Sequence, residues 1–156
     1  MSTQRDYKEI VHEILAECRL MAIATCADHP WIASVYYVSD NNLNLYFISP
    51  ASSYHCKQIL KNNSVACAIA DSSQKARDKK VGLQLYGHAT MENELATIKW
   101  MLRMYNKLYP STKEKLNFKN FQAKIMTSKV YKVTPKMIKI FSEKHSLPDD
   151  EVILHL

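Results

Sequence analysis

Three short apolar runs stand close together within the first 50 residues, and they restrict the fold more than any other feature. These runs are LMAIATC (20–26), WIASVYYVS (31–39) and LNLYFI (43–48). Only the short turns ADHP and DNN separate them, and a parallel crossover would need about a dozen residues or more. Turns that contain Asn or Asp between β-rich runs are typical of hairpins. The sequence therefore predicts a three-stranded antiparallel meander over residues 20–48.

The rest of the chain adds helices and further strands in irregular order. Apolar residues three and four positions apart predict helices over 7–17, 53–61 and 92–109. Strands are predicted at 64–70 and 81–90, and two short strands around Thr134-Pro135 within 130–141. A meander leaves open edges, which a closed or split barrel removes. We predict a mainly β protein with helices (α+β), an antiparallel split β-barrel with flanking helices.

Length and composition indicate one domain over residues 1–156, with a core of about 7–141 and a tail at 142–156. The tail shows no firm pattern, but it ends in VILHL, which we expect to pack on a second subunit. Four cysteines without C-x-x-C spacing are expected to be reduced thiols. The polar N-terminus carries no signal-peptide pattern and the apolar runs are too short to span a membrane, so a cytoplasmic protein is expected.

The segment YFISPASSYHCKQILKNN (46–63) combines a strand, a serine-rich turn and the start of a helix. Pro50 is expected to end the strand, and Ser52 or Ser53 is a candidate N-cap. Free backbone N–H groups and hydroxyls at a helix N-terminus suit an anion, most often a phosphate, and His55 could contribute a donor. Local chemistry alone favours the simpler interpretation, that the serines only cap the helix.

Several classes of function lack support in the sequence. It contains no G-x-S-x-G or paired-carboxylate pattern, and its six histidines lack metal-ligand spacing. Glycine-rich phosphate loops are also absent. The charge is uneven: residues 1–74 hold 5 Lys/Arg and 7 Asp/Glu, whereas residues 75–156 hold 16 and 8. This basic half could bind a polyanion, but nucleic-acid binding is weakly supported because its aromatic residues have the spacing of a helix core.

The order of segments resembles the pyridoxamine 5′-phosphate oxidase-like, FMN-binding split-barrel superfamily, and especially a small bacterial branch of it. The matching segments are LMAIATC, PWIASVYYVSD, LYFISPASSYH, NNSVACAI, GLQLYGHA and VYKVTPKMIKI. They follow one another in the family's order over about residues 7–141. No single segment is specific, and the order and spacing carry the resemblance.

The resemblance implies a homodimer with FMN at its interface. By position, the family's phosphate-binding segment corresponds to Ser53, Tyr54 and His55, and its flavin-contacting pair to Ile48 and Ser49. The second-strand segment that flanks the flavin corresponds to 33–38. The implied cofactor residues are Ala33, Ser34, Val35, Tyr36, Ile48, Ser49, Ser53, Tyr54, His55 and Gln84. Tyr36 or Tyr54 could stack on the ring system or line its site, although Tyr36 is equally well explained as a barrel or interface residue.

The chain also departs from the oxidase pattern. Ala33 and His55 replace a second-strand arginine and the phosphate lysine, and Tyr54 stands where arginine is common. The oxidase's late Trp and Arg have no clear counterparts. Pyridoxamine phosphate oxidation is therefore not expected. Three hypotheses follow: an FMN-binding oxidoreductase that uses a nicotinamide donor, a flavin-free split-barrel dimer with a binding or structural role, and a basic polyanion-binding module.

Overall fold

The computed structural model describes residues 4–156, which form seven strands and four α-helices. The strands are β1 (Leu20–Cys26), β2 (Pro30–Ser39), β3 (Leu45–Pro50), β4 (Ser64–Ala70), β5 (Val81–Met91), β6 (Ser128–Ser142) and β7 (Glu151–His155). The helices are α1 (Gln4–Glu17), α2 (Tyr54–Lys61), α3 (Leu95–Leu108) and α4 (Phe118–Gln122). Short 3-10 turns at Pro110–Thr112 and Pro148–Asp150 complete the chain.

The sheet is antiparallel throughout and closes on itself. Its order is β3-β2-β1-β4-β5-β6-β7, and a further pairing of β3 with β6 closes the first six of these strands into a barrel. β7 lies outside this ring, beside β6. The predicted meander is confirmed as β1, β2 and β3. The predicted fold class is confirmed as well: a mainly β, antiparallel barrel with flanking helices.

β6 corrects the prediction of two short strands around Pro135. It is one strand of 15 residues that pairs with β3 at its start, β5 along most of its length and β7 at its end. The register shifts between Tyr86 and Gly87 of β5, which pair with Met137 and Pro135, so Lys136 is an extra residue. Proline is tolerated at such a bulge. The strand therefore continues where the sequence pattern indicates a break.

The C-terminal tail also differs from its prediction. Instead of an unpatterned segment, residues 151–155 form β7 on the chain's own sheet. Leu154 is only 3% exposed and belongs to the barrel core, so this apolar side chain is covered by its own subunit. β3 likewise runs two residues further than predicted, through Pro50. There β3 pairs with β6 alone, and an edge position tolerates proline.

Two hydrophobic clusters stabilise the fold. The first fills the barrel, where α1 and α2 pack against inward side chains such as Ile23, Phe47 and Ile140. The second lies outside the barrel, where Ile98, Met101 and Leu102 of α3 cover other side chains of β2, β3 and β6. β3 contributes to both, with Phe47 inside and Tyr46 under α3. α3 therefore covers one side of the β2–β3 region.

Candidate functional site

The barrel is split between β2 and β3. These strands pair only through residues 37–39 and 45–47, and then diverge. From there, residues 30–36 of β2 pair with β1 on one side, and residues 48–50 of β3 pair with β6 on one side. Each strand therefore has an open edge facing the split, where backbone N–H and C=O groups are available to a ligand. α2 begins directly after β3, at the same place.

Ser49, Ser53 and His55 meet at the α2 side of the split. The Ser49 hydroxyl lies 2.9 Å from Nε2 of His55, and the Ser53 hydroxyl lies 3.4 Å from the same nitrogen. Ser49 is only 5% exposed, whereas Ser53 and His55 are half-buried. The structure thus brings together Ser53 and His55, which the resemblance assigned to the phosphate, and Ser49, which it assigned to the flavin-contacting pair.

The position of Ser53 bears on the simpler interpretation of this turn as a helix cap. Ser53 is the N-cap of α2, with extended backbone angles, but its side chain makes no capping hydrogen bond. Its hydroxyl points to the imidazole of His55 instead. A capping serine normally accepts from the backbone N–H of the second or third helical residue. Side-chain capping therefore does not explain the orientation of this hydroxyl.

His55 occupies a partly desolvated position. Burial lowers the pKa of its imidazole below the ordinary value of 6.5, because burial disfavours the charged form. The ring of Phe47 lies 6.2 Å away between centroids. A neutral imidazole can accept a hydrogen bond at one nitrogen and donate at the other. At neutral pH this group provides hydrogen bonding to the site and no fixed positive charge.

Tyr54 points away from this trio. Its hydroxyl lies 3.0 Å from Nε2 of His29, and its ring contacts the rings of His29 and Trp31 at centroid distances of 5.5 and 5.0 Å. The β1–β2 turn is also tied to α2 by Gln58, whose amide nitrogen donates to the His29 carbonyl at 2.8 Å. The sequence analysis missed His29, Trp31 and Gln58. The available signal was a glutamine on the buried face of α2 between Cys56 and Ile59.

The predicted β2 residues alternate between two environments. Ala33 and Val35 face the barrel core, whereas Ser34 and Tyr36 are exposed on the outer face. Tyr36 rests against Tyr109 after the end of α3, with ring centroids 5.1 Å apart. On β3, Ile48 is half-buried and packs into the cluster under α3. Of these side chains, only Ser34 and Tyr36 are open to a ligand, so any contact by Ala33 or Val35 would use the backbone.

Gln84 lies apart from the other predicted residues. It is exposed on the outer face of β5, in a row across four strands that runs Ser34, Ala22, Ala68, Gln84. Three strand spacings place it about 14 Å from Ser34. The structure therefore does not bring Gln84 to the split of its own chain. Its row belongs to a surface of small side chains formed by Ala22, Ala24, Ala66, Ala68, Ala70 and Gly82.

A pocket of about 260 Å³ lies between the β1–β2 turn and α2. Tyr54, Lys57 and Lys61 contribute to its walls, and Lys61 lies 3.6 Å from the carboxylate of Asp28. Across the described part of the chain, no group of three or more His, Cys, Asp or Glu is arranged to hold a metal ion. No described helix is both long and apolar enough to cross a membrane.

Comparison with known proteins settles the family. The family model described as pyridoxamine 5′-phosphate oxidase matches residues 7–140. The chain belongs to this family. No curated protein matches it in sequence. The match runs from within α1 to near the end of β6, which agrees with the resemblance found in the order of sequence segments.

Solved structures with the same fold are distant in sequence. General Stress Protein 26 from Bacillus anthracis is 19% identical with a TM-score of 0.69, covering 96% of this chain and 98% of its own. HutZ, the heme storage protein from Vibrio cholerae, is 12% identical with a TM-score of 0.67, covering 81% and 88%. A heme binding protein from Mycobacterium smegmatis is 11% identical with a TM-score of 0.76, covering 99% of this chain and 60% of its own. These likenesses concern the fold alone.

Proposed function

We propose that the chain is a homodimeric flavin-binding protein that holds FMN in the barrel split and acts as an oxidoreductase. The observation that carries this proposal is the convergence of Ser49, Ser53 and His55 at the start of α2, beside two open strand edges. Membership in the pyridoxamine 5′-phosphate oxidase family supports the same proposal.

The phosphate would be held by Ser49, Ser53 and His55. Two hydroxyls and an imidazole can donate to its oxygens, and the N-terminus of α2 adds the favourable end of a helix dipole. The site lacks the guanidinium and ammonium contacts of the oxidase pattern, each of which would contribute about 1.5–3 kcal/mol. Lys57, on the next turn of α2, is the nearest lysine along the helix. We therefore expect moderate affinity with a dissociation constant in the micromolar range.

The ring system would lie along the open edge of β2. Backbone groups of residues 33–36 and of Ile48-Ser49 would bind its polar rim, and the exposed side chains of Ser34 and Tyr36 would border it. Tyr54 would form part of the wall together with His29 and Trp31, because its hydroxyl is already bonded to His29. A bound flavin supplies reversible hydride and electron transfer, here between a nicotinamide donor and an acceptor.

The homodimer is part of the proposal because of the position of Gln84. Its side chain is about three strand spacings from β2, so a cofactor in the split of its own chain is out of reach. The outer face around Gln84 carries Ala22, Ala66 and Ala68, which allow a second sheet to approach closely. Exposed apolar side chains flank this surface, with Ile32 at 65% and Tyr86 at 45% exposure. Two copies joined here would let each Gln84 serve the other chain's split.

The test of the site is the double variant Ser53→Ala with His55→Ala. We expect its dissociation constant for FMN to rise by about tenfold or more, because two hydrogen-bonding groups at the phosphate are removed. The matched control is Ser52→Ala with His12→Ala, which removes one hydroxyl from the exposed neighbouring position of the turn and one imidazole from α1. An unchanged dissociation constant in the double variant, with circular dichroism showing intact folding, would remove these residues from the site.

Heme is the second candidate ligand. Two imidazoles lie near the start of α2, with His55 beside Ser49 and His29 beside the Tyr54 hydroxyl. Two proteins of this fold are described as a heme storage and a heme binding protein. Separate titrations with hemin and with FMN distinguish the two ligands. A Soret shift on addition of hemin that His29→Ala abolishes, together with no binding of FMN, would favour heme. Binding of neither would favour the flavin-free dimer.

A further inference from the structure

A basic pocket lies on α3, away from the split. It has a volume of about 420 Å³ and is bordered by four exposed cationic side chains. They are Lys99, Arg103, Lys107 and Lys113, and the pocket is also lined by Leu102, Asn106 and Phe118. The volume falls in the range of about 300–1,000 Å³ that is usual for small-molecule sites. The proposed flavin site uses none of these residues.

Three of the cations follow one line along α3. Lys99, Arg103 and Lys107 are four residues apart, so they share one face of the helix and span about 12 Å along its axis. Like charges at this spacing destabilise a helix when nothing compensates them. The sequence of α3 contains no Asp or Glu. Among residues 4–156, no carboxylate lies within ion-pair distance of these three side chains or of Lys113.

The opposite wall is built by the chain that follows α3 and returns along it. Asn106 fixes this segment, because its amide donates to the Leu116 carbonyl at 2.8 Å and accepts from Thr112 at 3.1 Å. Further back along α3, Nζ of Lys99 lies 5.7 Å from the centre of the Phe118 ring. The returning segment therefore runs from the level of residue 106 to that of residue 99. Lys113 belongs to this segment and lines the pocket together with the cations of α3.

The pocket is separate from the barrel split. Ile98, Met101 and Tyr105 occupy the other face of α3 and are buried against the outside of the barrel. The cations are exposed on the face that points away from the sheet. A ligand here would therefore bind independently of one in the split.

We propose that this pocket binds an organic polyphosphate of the size of a nucleoside triphosphate. Arg and Lys are the usual phosphate-binding side chains. Several negative charges on one small molecule would compensate cations that no protein carboxylate neutralises. A compact ligand is favoured over a nucleic-acid strand because Lys113 of the returning segment and the three cations of α3 line one pocket of about 420 Å³, whereas a strand needs a groove that follows its backbone.

The test uses ATP as the probe, with AMP and a single-stranded oligonucleotide as comparisons, measured by isothermal titration calorimetry. We expect one ATP per chain, weaker binding of AMP, and a loss of affinity of about tenfold or more in Arg103→Glu with Lys107→Glu. The control is Lys8→Glu with Lys136→Glu, which changes the net charge equally at exposed lysines on α1 and β6. It is expected to bind ATP as the wild type does.

Three results would overturn the proposal. Equal weakening in both charge-reversal variants would mean that binding depends on overall charge and not on this pocket. Absence of ATP binding up to about 1 mM would remove the site. Tighter binding of the oligonucleotide than of ATP, lost in the Arg103 and Lys107 variant, would identify a nucleic-acid surface instead. Circular dichroism of each variant confirms that the compared proteins are folded.

Discussion

His55 is the residue on which the candidate site depends most. Its Nε2 faces the hydroxyls of Ser49 and Ser53, and burial lowers the pKa of its imidazole. The unfolded chain exposes this imidazole to water, where its pKa is about 6.5. The unfolded state therefore binds a proton more readily than the folded state does. Folding stability must then fall as the pH drops below about 6.5, because protonation favours unfolding.

His55→Gln tests this linkage. Gln cannot titrate, so we expect the variant to lose less stability than the wild type between about pH 6.5 and pH 5. Urea unfolding followed by circular dichroism at several pH values measures the difference. Ser52→Ala, which changes no titratable group, is the control and is expected to follow the wild-type profile. A His55→Gln curve parallel to that of the wild type would contradict the assigned pKa direction.

Some features of the candidate site could be predicted from the sequence, and others depend on contacts between distant parts of the chain. Ser49, Ser53 and His55 were predictable because they are local to one turn that follows a strand. The contacts of Tyr54 with His29 and Trp31 were not, since they join positions about 25 residues apart and depend on how α2 packs over the β1–β2 turn. The alternation of Gln84 with Leu83 and Leu85 placed it on an outer face. Its distance from the split could be derived only from the order of the strands in the sheet.

Among the elements, β6 shows how a local irregularity preserves a long strand. Pro135 would normally interrupt pairing, and the register shift opposite Gly87 accommodates it. Gly87 allows this because β6 approaches very closely. A Cβ added there would lie 2.2 Å from the Thr134 carbonyl oxygen and 2.8 Å from Cα of Pro135. Both neighbours are backbone atoms, which cannot rotate away as a side chain can.

Gly87→Ala should therefore destabilise the protein by about 1–3 kcal/mol through overpacking at the β5–β6 bulge. Gly82→Ala on the same strand is the matched control. Its added Cβ would be 3.0 Å from the Ile69 carbonyl oxygen and 3.6 Å from Cβ of Ala70, so a smaller loss is expected. Chemical denaturation measures both variants. Equal stability of the two would contradict the close approach at Gly87.

The elements that the sequence predicted well are those with local signals. The hairpins of the meander were marked by their short turns, and the helices by apolar spacing. β7 was missed because its stability comes from pairing with residues 137–141 and from the burial of Leu154, which the five-residue sequence EVILH does not reveal by itself. Pro135 was misinterpreted because the bulge that accommodates it involves Gly87, almost 50 residues earlier.

For the whole molecule, the outer face of β1, β4 and β5 is an exposed surface that includes Ala66, Ala68 and Gln84. Its alanines and glycine form a low surface, and Gln84 lies on it. We propose this face as the dimer contact. Ala68→Arg should then reduce the apparent mass in light scattering from two chains to one, because a charged, bulky side chain would be buried between sheets. The FMN affinity should fall in the same variant if Gln84 serves the partner's split.

Ala123→Arg is the control for this variant, since Ala123 is exposed after α4 and away from the proposed contact. It is expected to keep the mass and FMN affinity of the wild type. A wild-type protein that is monomeric at all concentrations, or an Ala68→Arg variant that remains dimeric, would contradict the proposed interface.

The most direct measurement for the central claim is a titration of the purified protein with FMN, followed by flavin fluorescence and absorbance. We expect saturable binding of one FMN per chain, with quenching at micromolar protein. No binding up to about 1 mM FMN, which corresponds to a binding free energy weaker than about 4 kcal/mol, would contradict the flavin site.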